Sequence, residues 1–423
     1  MTIAGLILLA TLGLTPPLGE VEQRRASGLS PVAATAPDPT NTAWDHPVAA
    51  RLGQRVFFDP GFSRNGAVSC ATCHDPKLAF TDGKPLPMGL DQGFRHTPSL
   101  LNVAHHRWFF WDGRADTLWS QALHPFERDE EFGTSRLAAL HRVHDDEVLR
   151  QEYEQVFGPM PPLDDLDRFP ANAGPGPDPT DPRVIGWNAM TDDDRETVNR
   201  AFSNLGKAIA AYEHRLISPP SPFDQFVAAM KAGDEEGMNI LSPSARRGLV
   251  LFVGEAGCRQ CHNGALLSDR EFHNIGIPTA GEDLPSDAGR WEGIRLLKEN
   301  PFRANGTYSD APDSQRGRST GSVIRNSEHW GAFRTPSLRN LNRTAPYMHH
   351  GQFATLADVL GYYNTLEDMV VVDHHQETVL QPLDLSPEQL ADLEAFLLSL
   401  SSPPIDPALR SAPPRPGTGS PDK

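Results

Sequence analysis

Two short stretches hold every cysteine of the chain: Cys70-Ala71-Thr72-Cys73-His74 and Cys258-Arg259-Gln260-Cys261-His262. Two thiols three positions apart, followed at once by an imidazole, could hold a metal ion, cycle as a dithiol, or bond covalently to a porphyrin. A zinc site needs its remaining ligands close by, and a redox dithiol rarely carries the trailing histidine. In the third chemistry the thiols join the porphyrin edge and the histidine becomes the proximal iron ligand. Two copies with no cysteine left over point to two covalently bound haem c groups. Cys70, Cys73 and His74 would hold one, and Cys258, Cys261 and His262 the other.

The elements that must position these motifs come in matching order. A helix is expected over Pro47 to Phe58, with Val48, Leu52, Val56 and Phe57 on one face. Asp59-Pro60-Gly61 stops it just before the first motif. Asp75 to Gly93, rich in Pro, Gly and Asp, reads as a loop over the haem. Thr97-Pro98-Ser99-Leu100-Leu101-Asn102 then has a double 238 positions on, Thr335-Pro336-Ser337-Leu338-Arg339-Asn340. At the same offset Gly113 falls on Gly351, Thr117 on Thr355 and Leu118 on Leu356, while Arg51 to Phe57 resembles Arg247 to Phe252. The pattern is an internal repeat of helix, haem motif, loop, Thr-Pro-Ser-Leu, glycine and helix. The second copy holds a longer loop, Leu266 to Trp330, expected to shape a surface of its own domain.

Between the copies, Phe157 to Pro182 reads as a linker or long loop. Asp192-Asp193-Asp194 opens a helix with acids at the positive end of its dipole, and Val198, Phe202, Leu205, Ile209 and Tyr212 form its apolar face. Pro219, Pro220 and Pro222 mark a boundary. The closing helix starts at Ser386-Pro387-Glu388-Gln389, a capping box with proline at the first helical position. The expected architecture is mostly α: two cytochrome-c-like haem domains related by internal repeat, with long loops. Residues 1–40 would be a signal peptide and flexible leader, 41–220 the N-terminal haem domain, 221–402 the C-terminal haem domain, and 403–423 a disordered tail.

A net charge of −17 over 423 residues argues against nucleic acid or an anionic membrane as partner and favours a basic electron-donor protein. The apolar run Ile3 to Leu14 is too short to span a bilayer. It fits the core of a signal peptide, although no Lys or Arg precedes it, and Ala34-Thr35-Ala36 offers a small-residue cleavage site. No later stretch is long and apolar enough to mark an integral membrane protein. Haem attachment to such thiols takes place outside the cytoplasm, which independently suggests a bacterial periplasmic location.

The halves differ where the repeat places the groups facing each iron. The first offers Trp111-Asp112-Gly113-Arg114-Ala115, Gln121, His124 and the acids Glu127 to Glu131; the second offers Tyr362, Tyr363 and Met369. A haem that activates peroxide needs an open face, whereas one that only relays electrons usually has both axial positions filled. Ser69-Cys70-Ala71-Thr72-Cys73-His74, Phe80-Thr81-Asp82-Gly83, Phe110 to Ala115 and Thr344-Ala345-Pro346-Tyr347-Met348-His349 resemble the bacterial di-haem cytochrome c peroxidase family. That family includes the enzymes that mature methylamine dehydrogenase, and the resemblance runs from Leu52 to Leu400.

The resemblance implies a peroxidatic N-terminal haem fed with electrons by the C-terminal one. It places the family's distal Gln and Glu at Gln121 and Glu131, with Glu130 and Glu127 as register alternatives, and its inter-haem tryptophan at Trp111. Leu90 stands where many members carry a distal histidine that swings away on activation, so the first iron should be permanently open, with His96 as the nearest substitute ligand. The sixth ligand of the second haem is Met in the peroxidases and Tyr in the maturing branch; Tyr363 occupies that position, with Tyr362 and Met369 as fallbacks. His96, at the position of an amide that helps bind an interdomain calcium with Thr344 and Pro346, weighs against calcium.

Three functions follow as expectations. The first is a periplasmic peroxidase reducing hydrogen peroxide with electrons from a cytochrome c or cupredoxin. The second is an oxidase that modifies Trp or Tyr of a partner protein through a high-valent iron state, though no tryptophan immediately precedes Cys258, where the maturing enzymes have one. The third is a simple di-haem electron carrier, against which the Gln121/Glu131 pair speaks.

Overall fold

The computed structural model describes residues 18–277, 286–370, 377 and 379–416. The apolar run Ile3 to Leu14 lies outside them. Among the described residues the chain is mostly helical, with one two-stranded antiparallel sheet pairing Phe272–His273 with Phe333–Arg334. None of the helices among the described residues is long and apolar enough to cross a membrane.

The chain divides into two compact units that are interleaved in sequence. One holds the first Cys-x-x-Cys-His motif and comprises Thr35–Leu216, Arg290–Asn326 and the residues from Ile405. Its axis is the helix Asp192–Glu213, capped by Thr191 Oγ1, which accepts from the Asp194 amide. The helix Pro47–Phe58 lies against it so closely that a Cβ on Gly53 would sit 1.9 Å from the Ala208 carbonyl oxygen. Leu52, Val56, Phe57, Trp119, Phe126, Phe202 and Tyr212 fill the core between them.

The expected linear domains therefore need correction. Residues 290–326, assigned from sequence to the second domain, fold with the first motif. The Arg290 guanidinium donates to the carbonyls of Asp112 and Gly113, and Asp116 accepts from the Ala304 amide at 2.8 Å and the Thr320 hydroxyl at 2.6 Å. A Cβ on Gly293 would come 2.1 Å from the Asp112 carbonyl oxygen, so the helix Arg290–Glu299 rests directly on the Asp112–Gly113 backbone. The tail expected to be disordered also packs here. Gln54 donates to the carbonyls of Ala408 and Ser411, Arg55 to those of Pro413 and Pro414, and the Tyr212 hydroxyl to that of Leu409. Residues 417–423 lie outside the described residues.

The other unit comprises the residues up to Ala34, Ile217–Gly289 and Ser327–Pro404, and holds the second motif. Here the helix Pro243–Val253 lies on Pro387–Leu398, with the Gly248 Cβ position 1.9 Å from the Asp392 oxygen. The Ser386 cap and its reciprocal Gln389 bond start the closing helix. The leader is not loose from residue 18 onward. Glu20–Ser27 is a helix, Ala26 and Leu29 are buried, and Ser30 Oγ donates to Asp224 at 2.6 Å. Asp224 in turn binds the Arg339 guanidinium with two bonds of 2.8 and 3.0 Å, both side chains almost wholly buried. Cleavage at Ala34-Thr35-Ala36 would strip these residues from the core, so the structure disfavours that site.

Local backbone features recur at the spacing read from the sequence. Asn102 and Asn340 are left-handed (φ 63° and 66°), as are Phe110 and Met348 (65° and 71°) and Gly113 and Gly351 (67° and 63°). The bridges Phe109–Ala115 and Tyr347–Phe353 sit at the same offset.

Candidate haem sites and the cavity beside the first

Cys70–Cys73 form one helical turn opened by Ser69, whose amide donates to Thr72 Oγ1 at 3.0 Å. Thiols at i and i+3 share a helix face, and the His74 amide closes the turn on the Cys70 carbonyl at 2.9 Å. His74 Nδ1 lies 2.9 Å from the Phe80 carbonyl oxygen. A carbonyl can only accept, so Nδ1 carries the proton and Nε2 keeps its lone pair, the arrangement of a metal-ligating imidazole. The Phe80 carbonyl is aimed by two successive left-handed residues, Ala79 and Phe80 (φ 55° and 62°). Ser99 Oγ and Thr81 Oγ1 fix that turn by donating to the carbonyls of Ala79 and Thr97.

Burial raises both thiols, Cys73 to about 12. A reactive dithiol needs the opposite shift. Neither cysteine of this motif belongs to a cluster of metal-ligating side chains among the described residues. Both alternatives to haem thus lose their physical basis at this motif.

A cavity of about 50 Å³ opens beside the motif, lined among others by Cys70, Cys73, His74, Gly89, Gln121 and Glu131. Gln121 ends the turn Leu118–Gln121, capped by Thr117, and its Oε1 is buried without a hydrogen-bond partner. Glu131 is placed by backbone pairing: its carbonyl accepts from Leu90 and that of Glu130 accepts from Asp91. Gly89 permits this approach, since a Cβ there would lie 2.5 Å from the Glu130 oxygen. Burial pushes the Glu131 carboxyl above the usual range, against the pull of Arg128, 3.4 Å away, and of Arg114.

Of the register alternatives, Glu127 pairs with Arg136 and Glu130 with Arg128, and neither lines the cavity. Leu90 packs on the hydrophobic core. His96 is buried with Nδ1 2.8 Å from the Lys84 carbonyl, and Trp111 is buried with Nε1 donating to the His96 carbonyl at 2.8 Å. Neither is among the cavity walls. His124 is also buried, its pKa lowered to about 3 by burial and by Arg114 and Arg128.

The second motif repeats the proximal arrangement: the His262 amide bonds the Cys258 carbonyl, and Nδ1 lies 2.8 Å from the Leu267 carbonyl. Ser337 Oγ and Arg339 brace that loop by donating to the carbonyls of Leu266 and Ala265. The helix Leu356–Thr365 carries Tyr362 and Tyr363. The Tyr362 hydroxyl is engaged by the Ile275 carbonyl, and Met369 packs over Gly276. Burial, and then the nearby Tyr362, Cys258 and Cys261, raise the Tyr363 phenol. A tyrosinate here would need a bound cation to offset that cost. Nearby, His273 sits between Asp269 (2.8 Å) and Glu377 (2.6 Å), and these partners hold it protonated, up to about 9.

A family profile for di-haem cytochrome c peroxidases matches residues 47–232. A cytochrome-c peroxidase, IdrP2, of Pseudomonas sp. (strain SCT) is 31% identical, the match covering 94% of this chain and 92% of that protein. The chain belongs to the di-haem cytochrome c peroxidase family. The methylamine utilization protein MauG of Methylorubrum extorquens is 30% identical over 85% of this chain and 79% of its own length. Among solved structures, the di-haem peroxidase BthA of Burkholderia thailandensis shares the fold, with a TM-score of 0.62 at 24% identity, covering 92% of this chain and 95% of that one.

Membership in this family of di-haem oxidoreductases implies two haem c groups, and the residues present fit them. Four cysteines without disulfides stand in two attachment motifs, each beside an imidazole fixed in the ligating tautomer. The buried, unpartnered Gln121 Oε1 fits the first cavity as a place for a polar ligand. A haem bound there supplies an iron for redox chemistry and, at an open axial position, for peroxide binding.

One ionisable residue of the cavity wall was not expected from the sequence. Glu213, at the last turn of Asp192–Glu213, is 4% exposed and lines the same cavity. The available signal was an acid at the negative end of a helix dipole, where acids are disfavoured.

Proposed function

We propose that the protein is a periplasmic di-haem c-type peroxidase reducing hydrogen peroxide to water with two electrons and two protons, the electrons coming from a cytochrome c or cupredoxin. In this reading the two units are copies of one haem domain, the first haem open and the second six-coordinate with Tyr363. The reading rests on Gln121 and Glu131 lining one cavity with His74.

Glu131 takes the proton from the near peroxide oxygen and returns it to the departing one. Its raised pKa suits this shuttle, because the carboxyl accepts and releases a proton closer to neutral pH. The unpartnered Gln121 Oε1 accepts from the bound peroxide and orients it. Arg128 and Arg114 favour the ionised form of Glu131 and so oppose the effect of its burial. Trp111 is assigned the electron route between the haems.

The test is steady-state turnover of the purified holoprotein with peroxide and reduced cytochrome c. Rapid turnover, lost by a factor of about 10²–10⁴ in Glu131→Gln, supports the assignment; an unchanged rate removes Glu131 from the mechanism. Tyr363 near the second cysteine pair and Leu90 in the loop over the first favour the second reading, oxidation of a partner protein's Trp or Tyr. A long-lived spectral intermediate without turnover would select it, and no reaction with peroxide would leave an electron carrier.

A further inference from the structure

We propose that Glu213 is a redox-linked proton carrier of the first haem cavity, neutral while the haem is reduced and giving up its proton when the haem loses an electron. The inference rests on the first motif holding a haem. Glu213 Oε2 is buried and has no hydrogen-bond partner, on a wall of the cavity that also includes Cys70 and His74. An unpaired, desolvated carboxylate is costly, so the group takes a proton unless a positive charge arrives nearby. Burial alone raises its pKa, to about 8, and no cation contributes.

The groups around it supply no competing charge. Cys70, a thioether once the haem is attached, carries no charge, and Tyr212 is neutral, its phenol raised by burial. Gln121 is uncharged, and Glu131 is the other acid on the cavity wall. On the neighbouring helix Arg51 and Arg55 are engaged by Glu152. The adjacent His214 stacks on Trp44, with Asp45 3.8 Å from Nε2. Removing one electron from the haem adds one positive charge beside this cavity, and among the described residues lining it the one uncompensated carboxyl with almost no access to water is Glu213. The step balances as reduced haem with neutral Glu213 going to oxidised haem with ionised Glu213, one proton to solvent and one electron to the redox mediator.

The experiment is a spectroelectrochemical titration of the first haem in the holoprotein from pH 6 to 9. Below about pH 8, where the carboxyl is protonated in the reduced state, one proton per electron gives a midpoint potential that falls by about 59 mV for each tenfold fall in proton concentration. Glu213→Gln, close in shape and permanently neutral, should flatten that slope, while Glu213→Asp and Glu131→Gln should keep it. A slope retained in Glu213→Gln, or lost in Glu131→Gln, overturns the proposal. Oxidised-minus-reduced infrared spectra of the wild type give a readout independent of any variant's folding. A protonated-carboxyl band lost on oxidation is expected, and its absence overturns the proposal. If the purified protein carried no first haem, the haem assignment itself would fail before any potential was measured.

Discussion

Replacing Asp224 with Asn should destabilise the unit that holds the second motif more than most single substitutions could. Asp224 is 6% exposed and its carboxylate accepts from both Arg339 terminal nitrogens, from Ser30 Oγ and from the amide and hydroxyl of Ser221. These bonds outweigh its burial and hold its pKa below the ordinary range. Asn keeps the shape but leaves the Arg339 guanidinium buried without a counter-charge, which costs about 3–5 kcal/mol. For a unit of this size each kcal/mol moves the melting temperature by about 2–4 °C, so the expected fall is roughly 6–20 °C. Calorimetry of the holoprotein measures it.

The pH sign follows from the depressed pKa. Stability from an ionised Asp224 is present above its unfolded pKa of about 3.9 and disappears as pH falls through the folded value, so wild type and variant converge in acid. Combining Asp224→Leu with Arg339→Met removes both charges and should recover most of the loss. A fall under 2 °C in Asp224→Asn, or a double variant as unstable as the single one, would refute the reasoning. Because Arg339 also donates to Ala265 in the loop that carries Leu267, the single variant should disturb the second haem's spectrum before the first's.

Tyr363→Phe should alter the low-temperature EPR signal of the second haem alone; an unaltered signal would exclude Tyr363 as its ligand. Gly53→Ala should prevent accumulation of folded protein, because its methyl would meet the Ala208 oxygen at 1.9 Å, and a normal yield and melting curve would contradict the close packing of these helices. Ending the chain after Asp406 removes acceptors from Gln54, Arg55 and Tyr212 and should cost about 2–5 kcal/mol in the first-motif unit, read as a lower melting temperature.

What the sequence made legible was whatever is written in residue type at short range. The thiol-imidazole motifs, the helix Pro47–Phe58 with its face of Leu52 and Val56, and the Ser386 cap are local patterns, and the structure has those helices at the expected places. The path of the chain between units was not legible, for a physical reason. Residues 290–326 lie inside a segment that reads as a long loop and residues 405–416 hold four prolines, and much of what ties them down is backbone acceptors: Asp112 and Gly113 for Arg290, Ala408 and Pro413 for Gln54 and Arg55. A carbonyl has no side-chain signature, so such segments read as loops or disorder while being fixed in place. Glu213 shows the complementary limit. Its place in the helix was readable, but its meaning comes from what faces it, a cavity wall with Cys70 and no cation, and three-dimensional proximity alone brings those together. An acid that ends an otherwise apolar helix face, against the helix dipole, is therefore a reason to ask what that face encloses.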